Sequence, residues 1–444
     1  MSGGGPASLL AEVEGAVGAS AGREAVDAAV KAFAGKVAPL EVIRAAARGA
    51  AAHYDGGSGV GPRGLAVLAS AANLLPVLQP RFHPLPVLQA VSFAAAETKS
   101  PRPGSPPLVV SGEVTHLGRS FLFAVRAGDL SEAESIFLGM VDEGWERTMA
   151  GDMLFRAAVE DMGEAGRKFF IAAKAWQLAR SLGFKDARRI LRPAVQYLVK
   201  GPRDRAPFES ILSVLGKEWV DLEGLASGGR PLDDAGRGKV RGIASAPDPA
   251  ACVSATLAAL RDGYAATSLA EGLAVEAARR VVAADGYDVG TARAVMFAHA
   301  ARFVLGFSRT SERLYALFQA ALRVRAPEPT LRVPDVPEAP GEGEALCHLA
   351  GEFDARKSME AAARVESYVD HGYSAARLLD VLANYACRDS AVANDGINLI
   401  FADVCASEFL AMRGPEIPMA LAKMIAAGPR DQGAYEGWTR LLGP

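Results

Sequence analysis

The chain has 444 residues, half of them hydrophobic but only 7% aromatic, and a formal charge of −3 from 48 basic and 51 acidic side chains. That length suffices for two or three ordinary domains or for one elongated array with a continuous core. So small a net charge supplies no field to hold a polyanion non-specifically, which argues against nucleic acid as a partner.

The hydrophobic residues are mostly Ala, Leu and Val, a palette that favours close-packed helices over sheets, so the predicted fold class is all-α. The opening stretch "MSGGGPASLLAEVEGAVG" has neither the basic start nor the sustained apolar core of a signal peptide. No apolar run approaches the ~20 residues of a bilayer span. A cytoplasmic location and no membrane contact are the expectation.

Three Pro/Gly-rich stretches, 100–107, 224–249 and 324–344, are read as connections because proline at this density forbids helix interiors. They divide the chain into helical units at 1–107, 108–249, 250–344 and 345–444. The first unit opens with "AVDAAVKAFAGK" up to Gly35, continues with "LEVIRAAARGAAAHY", and adds a third run, "LAVLASAANLLPVL", and a fourth, "PLPVLQAVSFAAAE". The second opens with "AESIFLGMVDEGW" up to Gly144 and carries "KFFIAAKAWQLARSL" as its third run. The third opens with "VSATLAALRDGY" to Gly263, and its third run is "AVMFAHAARFVL". The fourth opens with "AAARVESYVDHGY" to Gly372, and its third run is "NLIFADVCASEFL".

The four glycines, separated by 109, 119 and 109 residues, are placed as helix C-caps needing positive φ. The sequence therefore predicts four degenerate repeats of roughly four helices each, arranged as a helical-repeat array or closed into a ring. Within the second unit, "AVRAGDLSEAESIFLGMVDEGW" (124–145) resembles a single tetratricopeptide or pentatricopeptide unit and predicts a helical hairpin with a Gly-Asp turn.

Gly59-x-Gly61-x-x-Gly64 has the outline of a dinucleotide-binding turn. Such a turn needs a preceding strand and an acidic residue about 20 positions later. Residues 43–54 read as helix, and the next carboxylate after Gly64 is Glu97. The stretch is instead a loop that launches the third helix, as are the loops before the other third runs. Arg63 and Arg167 stand at two of these launch points, where a helix N-terminus can hold an anion, and they are the candidate cofactor-binding residues.

The six histidines offer no pair three or four residues apart, so no metal site is predicted. Cys252, Cys347, Cys387 and Cys405 lie in apolar helical contexts without a CxxC pair and are read as free buried thiols. Each third run carries an isolated polar residue: Asn73, Lys174, His299 and Asp403. A charge on a core helix costs several kcal/mol unless paired. These residues are expected to meet partners or to line a cavity if the units close around an axis.

The runs "GRKFFIAAKAWQLARSLGFKDARRILRPAVQYLV" (166–199) and "GYDVGTARAVMFAHAARFVL" (286–305) resemble the helical region of the questin oxidase-like family, and the related domain that follows Rieske modules. The family's histidine before the third helix is replaced here by Arg167 and by the stretches around Thr291 and Asn394. The resemblance implies an oxidoreductase acting on a small organic substrate, with His299, Asp403 and Lys174 as catalytic residues and no cofactor specified. The first reading of the chain is nevertheless an interaction or scaffold module whose partner is another protein, with the oxidoreductase of secondary metabolism as the alternative.

Overall fold

The computed structural model describes residues 5–98, 108–142 and 147–442. Among them are 23 α-helices and no strand, which makes the chain all-α. The connection at 100–107 and the C-cap at Gly144 lie outside the described residues.

The helices fall into four groups of five. The first holds α1 (Pro6–Gly18), α2 (Gly22–Ala34), α3 (Pro39–Ala52), α4 (Arg63–Leu74) and α5 (Pro84–Glu97). The second holds α6 (Val114–Ala127), α7 (Leu130–Asp142), α8 (Arg147–Val159), α9 (Gly163–Ser181) and α10 (Ala187–Lys200). After α11 (Ala206–Lys217) and α12 (Leu222–Ala226), the third holds α13 (Asp234–Ala244), α14 (Pro249–Arg261), α15 (Ala266–Ala283), α16 (Val289–Phe307) and α17 (Leu314–Val324). The fourth holds α18 (Glu342–Asp354), α19 (Ser358–Asp370), α20 (Ala375–Ala386), α21 (Ile397–Met412) and α22 (Glu416–Ala427), and α23 (Gly433–Leu442) follows.

In every group the same six pairs of helices pack together: first on second, first on third, second on fifth, third on fourth, third on fifth and fourth on fifth. The fourth helix of each group is buried along most of its length, as is the fifth. In α4 every residue from Gly64 to Ala72 is buried, and in α21 every residue from Ile397 to Ala406 is. A helix apolar on all sides needs cover on all sides. These helices find it in one another: α4 packs on α9, α9 on α16, α16 on α21, and α21 back on α4.

Three local expectations change. Each group begins with a helix ahead of the first run, and α13 occupies the stretch 224–249 that reads as a connection. Its prolines, Pro231, Pro247 and Pro249, flank the helix rather than interrupt it, and Val240, Ile243 and Ala244 bury its inner face. Gly263 and Gly372 take positive φ as C-caps, but Gly35 does not; Lys36 holds the left-handed position, and Gly35 is small because Leu9 packs against it. Cys347 is exposed, unlike the other three cysteines, because it lies on the outer face of α18. The expected hairpin at 124–145 is present through Asp142, with Gly128 left-handed between α6 and α7.

Candidate functional site

The loops that launch α4, α9, α16 and α21 meet at one end of the central helices. At α4 the Gly64 amide donates to Glu97 Oε2 at 2.7 Å. Glu97 thus occupies the anion position of the glycine-rich turn, brought back by α5 from 33 residues away. A side chain at residue 64 would press its Cβ to 3.0 Å from the Ala94 backbone, so the close approach of α4 to α5 needs glycine. Arg63 pairs with both Glu97 and Asp395. Burial opposes its charge, but the two carboxylates outweigh that and raise the guanidinium above its ordinary value.

At α9 the chain makes a left-handed turn over Glu164, Ala165 and Gly166, with φ of 51°, 60° and 81°. For the two non-glycine residues this costs roughly 1–2 kcal/mol each. Gly166 is required, since a Cβ there would fall 2.4 Å from the Phe297 ring. At α21 the launch is again left-handed, through Asp395 and Gly396. At α16 Asp288 caps the first turn by accepting from the Gly290 and Thr291 amides.

These four launch points enclose one pocket of about 540 Å³ including its mouth. Arg63, Arg167 and Arg293 stand in its wall, and its floor is Phe170, Met296, Phe297 and Ile400. Arg167 pairs with Glu164, both carboxylate oxygens at 3.3 Å, and Glu164 also accepts from the Tyr197 hydroxyl. Arg293 is half-buried and has no carboxylate within ion-pair distance among the described residues. Burial, and then the neighbouring Arg167 charge, lower it below the ordinary arginine value against the opposing pull of Asp395 and Glu164, which also line the pocket. Cations are disfavoured at helix N-termini, yet three arginines gather on three of them.

Beneath the floor the four isolated polar residues converge. Lys174 Nζ lies 2.5 Å from Asp403 Oδ2 and 5.7 Å from the centre of the Phe170 ring. Asn73 donates to Asp403 at 3.2 Å and to Gln177 Oε1 at 3.3 Å, and Gln177 reaches His299 Nε2 at 3.5 Å. His299 Nδ1 meets Glu408 Oε1 at 2.7 Å, and Arg302 Nε donates to both Glu408 oxygens at 2.8 and 2.9 Å. One hydrogen-bonded chain therefore joins α4, α9, α16 and α21. None of Lys174, His299 or Asp403 lines the pocket above it.

Arg293, Gln177 and Glu408 are absent from the sequence reading, as are the polar residues of the fifth helices. Gln89 on α5 donates to the Cys387 carbonyl at the end of α20, and its Oε1 accepts from Ala391. Gln319 on α17 donates to Val159 at the end of α8. Lys423 on α22 donates to Val281, Val282 and Ala284 at the end of α15. The fourth runs "PVLQ", "PAVQ", "ALFQ" and "ALAK" hold a matching signal, and Gln196 is the buried fourth member.

Burial pushes the Cys252 thiol up to about 12 and raises Cys387 and Cys405 as well, so none is poised as a thiolate. Among the described residues no group of three or more His, Cys, Asp or Glu side chains is placed to hold a metal ion, and no helix is long and apolar enough to cross a membrane. Comparison with protein-family models, with curated proteins and with solved structures yields no match.

Proposed function

We propose that this chain is a ligand-binding protein that holds a small organic anion in the pocket at the N-terminal ends of its central helices. Arg293 carries the reading: a half-buried guanidinium without a carboxylate partner, beside Arg167 and above an apolar floor. Such a group lowers the stability of the empty protein and is relieved by an anion. The helix N-termini add favourable field at the same place, while the floor suits an apolar body.

The four five-helix groups are, on this reading, degenerate copies of one unit set around the pocket in a ring, each lending it one launch point. The shared packing of the groups and the matching positions of Gln89, Gln319 and Lys423 support it. The polar chain through Lys174, Asp403 and His299 then fixes the spacing of the central helices. Turnover of the ligand is a second reading, favoured by Lys174 lying against the underside of the Phe170 floor. An interaction module would draw on the exterior, where Phe123 and Trp219 stand exposed; the pocket offers the more specific chemistry.

Calorimetric titration with compact aromatic and branched carboxylic acids, each paired with its neutral amide, tests the proposal. Acids should bind and amides should not, and Arg293→Met should abolish the difference. Equal affinity for acids and amides, or an unaffected Arg293→Met variant, refutes it. Mass analysis of the bound acid after incubation separates binding from turnover.

A further inference from the structure

Arg63 and Asp395 stand in the walls of two cavities. One is the pocket described above; the other, of about 960 Å³ with its open mouth, lies on the far side of the first turn of α4. Its walls include Phe93, Leu65 and Tyr54, with the acceptors Asp55, Ser58 and Glu97. The Arg63 guanidinium, shared by both linings, is held by Asp395 and by Glu97.

The two holds are unequal. Glu97 is mostly buried and is itself pinned by the Gly64 amide. Asp395 is 48% exposed and stands on a left-handed turn. An exposed ion pair biases a conformation by no more than about fivefold. Arg63 can therefore leave Asp395 at little cost while Glu97 keeps its charge satisfied.

We propose that Arg63 is the specificity-determining partition of a single two-compartment cleft. The ligand class it points to is an elongated organic acid, with its carboxylate at Arg293 and Arg167, an apolar middle over Phe170 and Phe297, and a hydrogen-bond-donating tail among the acceptors of the second compartment. Short acids leave the Arg63–Asp395 pair closed; long ones open it. The inference rests on the anion-binding reading.

The test is titration of acids sharing one apolar body, lengthened stepwise and ending in methyl, hydroxyl or ammonium, against the unaltered protein, Asp395→Asn and Arg63→Gln. Asparagine tolerates the left-handed turn, so Asp395→Asn releases the hold without rebuilding the loop. The affinity of long hydroxyl- or ammonium-tailed acids relative to the short acid should rise about fivefold in Asp395→Asn, and Arg63→Gln should shift it the same way. A long-to-short ratio equal in all three proteins, or a methyl tail that serves as well as a donor, overturns the partition while leaving the anion site intact. Failure of every acid to bind overturns the reading beneath it.

Discussion

Lys174 on α9 and Asp403 on α21 join helices that are not neighbours in the central cycle, their charged atoms 2.5 Å apart with side chains 0% and 5% exposed. Removing one partner of a buried pair strands the other's charge, at a cost of roughly 3–5 kcal/mol. Lys174→Met and Asp403→Leu should each destabilise the protein on that scale in chemical denaturation. The double variant should recover most of the loss, because two apolar side chains can fill the same space. A double variant as unstable as the sum of the singles would show that the two residues contribute independently, with no coupling between them.

Glu408 and Glu271 should respond to pH with opposite sign. Burial works against the Glu408 carboxylate, but His299 and Arg302 outweigh it and hold its pKa below the ordinary value. A depressed carboxyl stabilises the fold above its unfolded pKa, near 4.5, and that contribution is lost as pH falls through the folded pKa. Glu408→Gln should therefore cost about 3 kcal/mol at pH 7, a gap that closes in acid. Glu271 is raised by burial, with Arg302 opposing and Glu408 adding to the effect. Its charge is a burden at neutral pH, so Glu271→Gln should stabilise the protein at pH 7 and have no effect below about pH 4. Denaturation curves at pH 7, 5, 4 and 3 decide both.

The polar residues of the fifth helices should rank by how many groups they leave stranded. Gln89 satisfies both a carbonyl and an amide, so Gln89→Leu should cost about 3 kcal/mol. Gln319 serves one carbonyl and has a buried Oε1 without a partner, so Gln319→Leu should cost only about 1 kcal/mol. Reversal of that order in denaturation experiments would count against a common capping role.

What the sequence made legible follows from the reach of each signal. Asn73, Lys174, His299 and Asp403 were visible because a lone polar group in an apolar run demands a partner, wherever the partner lies. Their partners were not: Gln177 and Glu408 sit in the same helices without any distinguishing spacing. Glu97 lies too far along the chain from Gly64 for a dinucleotide fingerprint, yet α5 returns it to the glycine turn; separation in sequence does not measure distance once a helix doubles back. The helices α1, α13 and α18 escape the pattern because each lies against a segment boundary, where flanking prolines and glycines mask a short amphipathic face, and α6 is legible only as the first arm of the hairpin at 124–145. Arg63 and Arg167 could be placed at helix starts from their loops. Arg293 could not, since nothing in "GTARAVMF" marks the fifth residue of a helix as facing a pocket.

Arg293 should show the opposition between stability and binding. Near the N-terminus of α16 its charge runs against the helix dipole, and burial and Arg167 disfavour it further. Methionine keeps the length and apolar contacts of the side chain while removing all three penalties. Arg293→Met should therefore raise the melting temperature of the ligand-free protein by about one degree, a gain of about 1 kcal/mol. The same variant should lose the stabilisation that an organic acid confers on the unaltered protein. Thermal melts with and without the acid read both effects at once. A variant that melts lower without ligand would mean that Arg293 already has its partner within the fold, and the pocket would lose its claim to an anion.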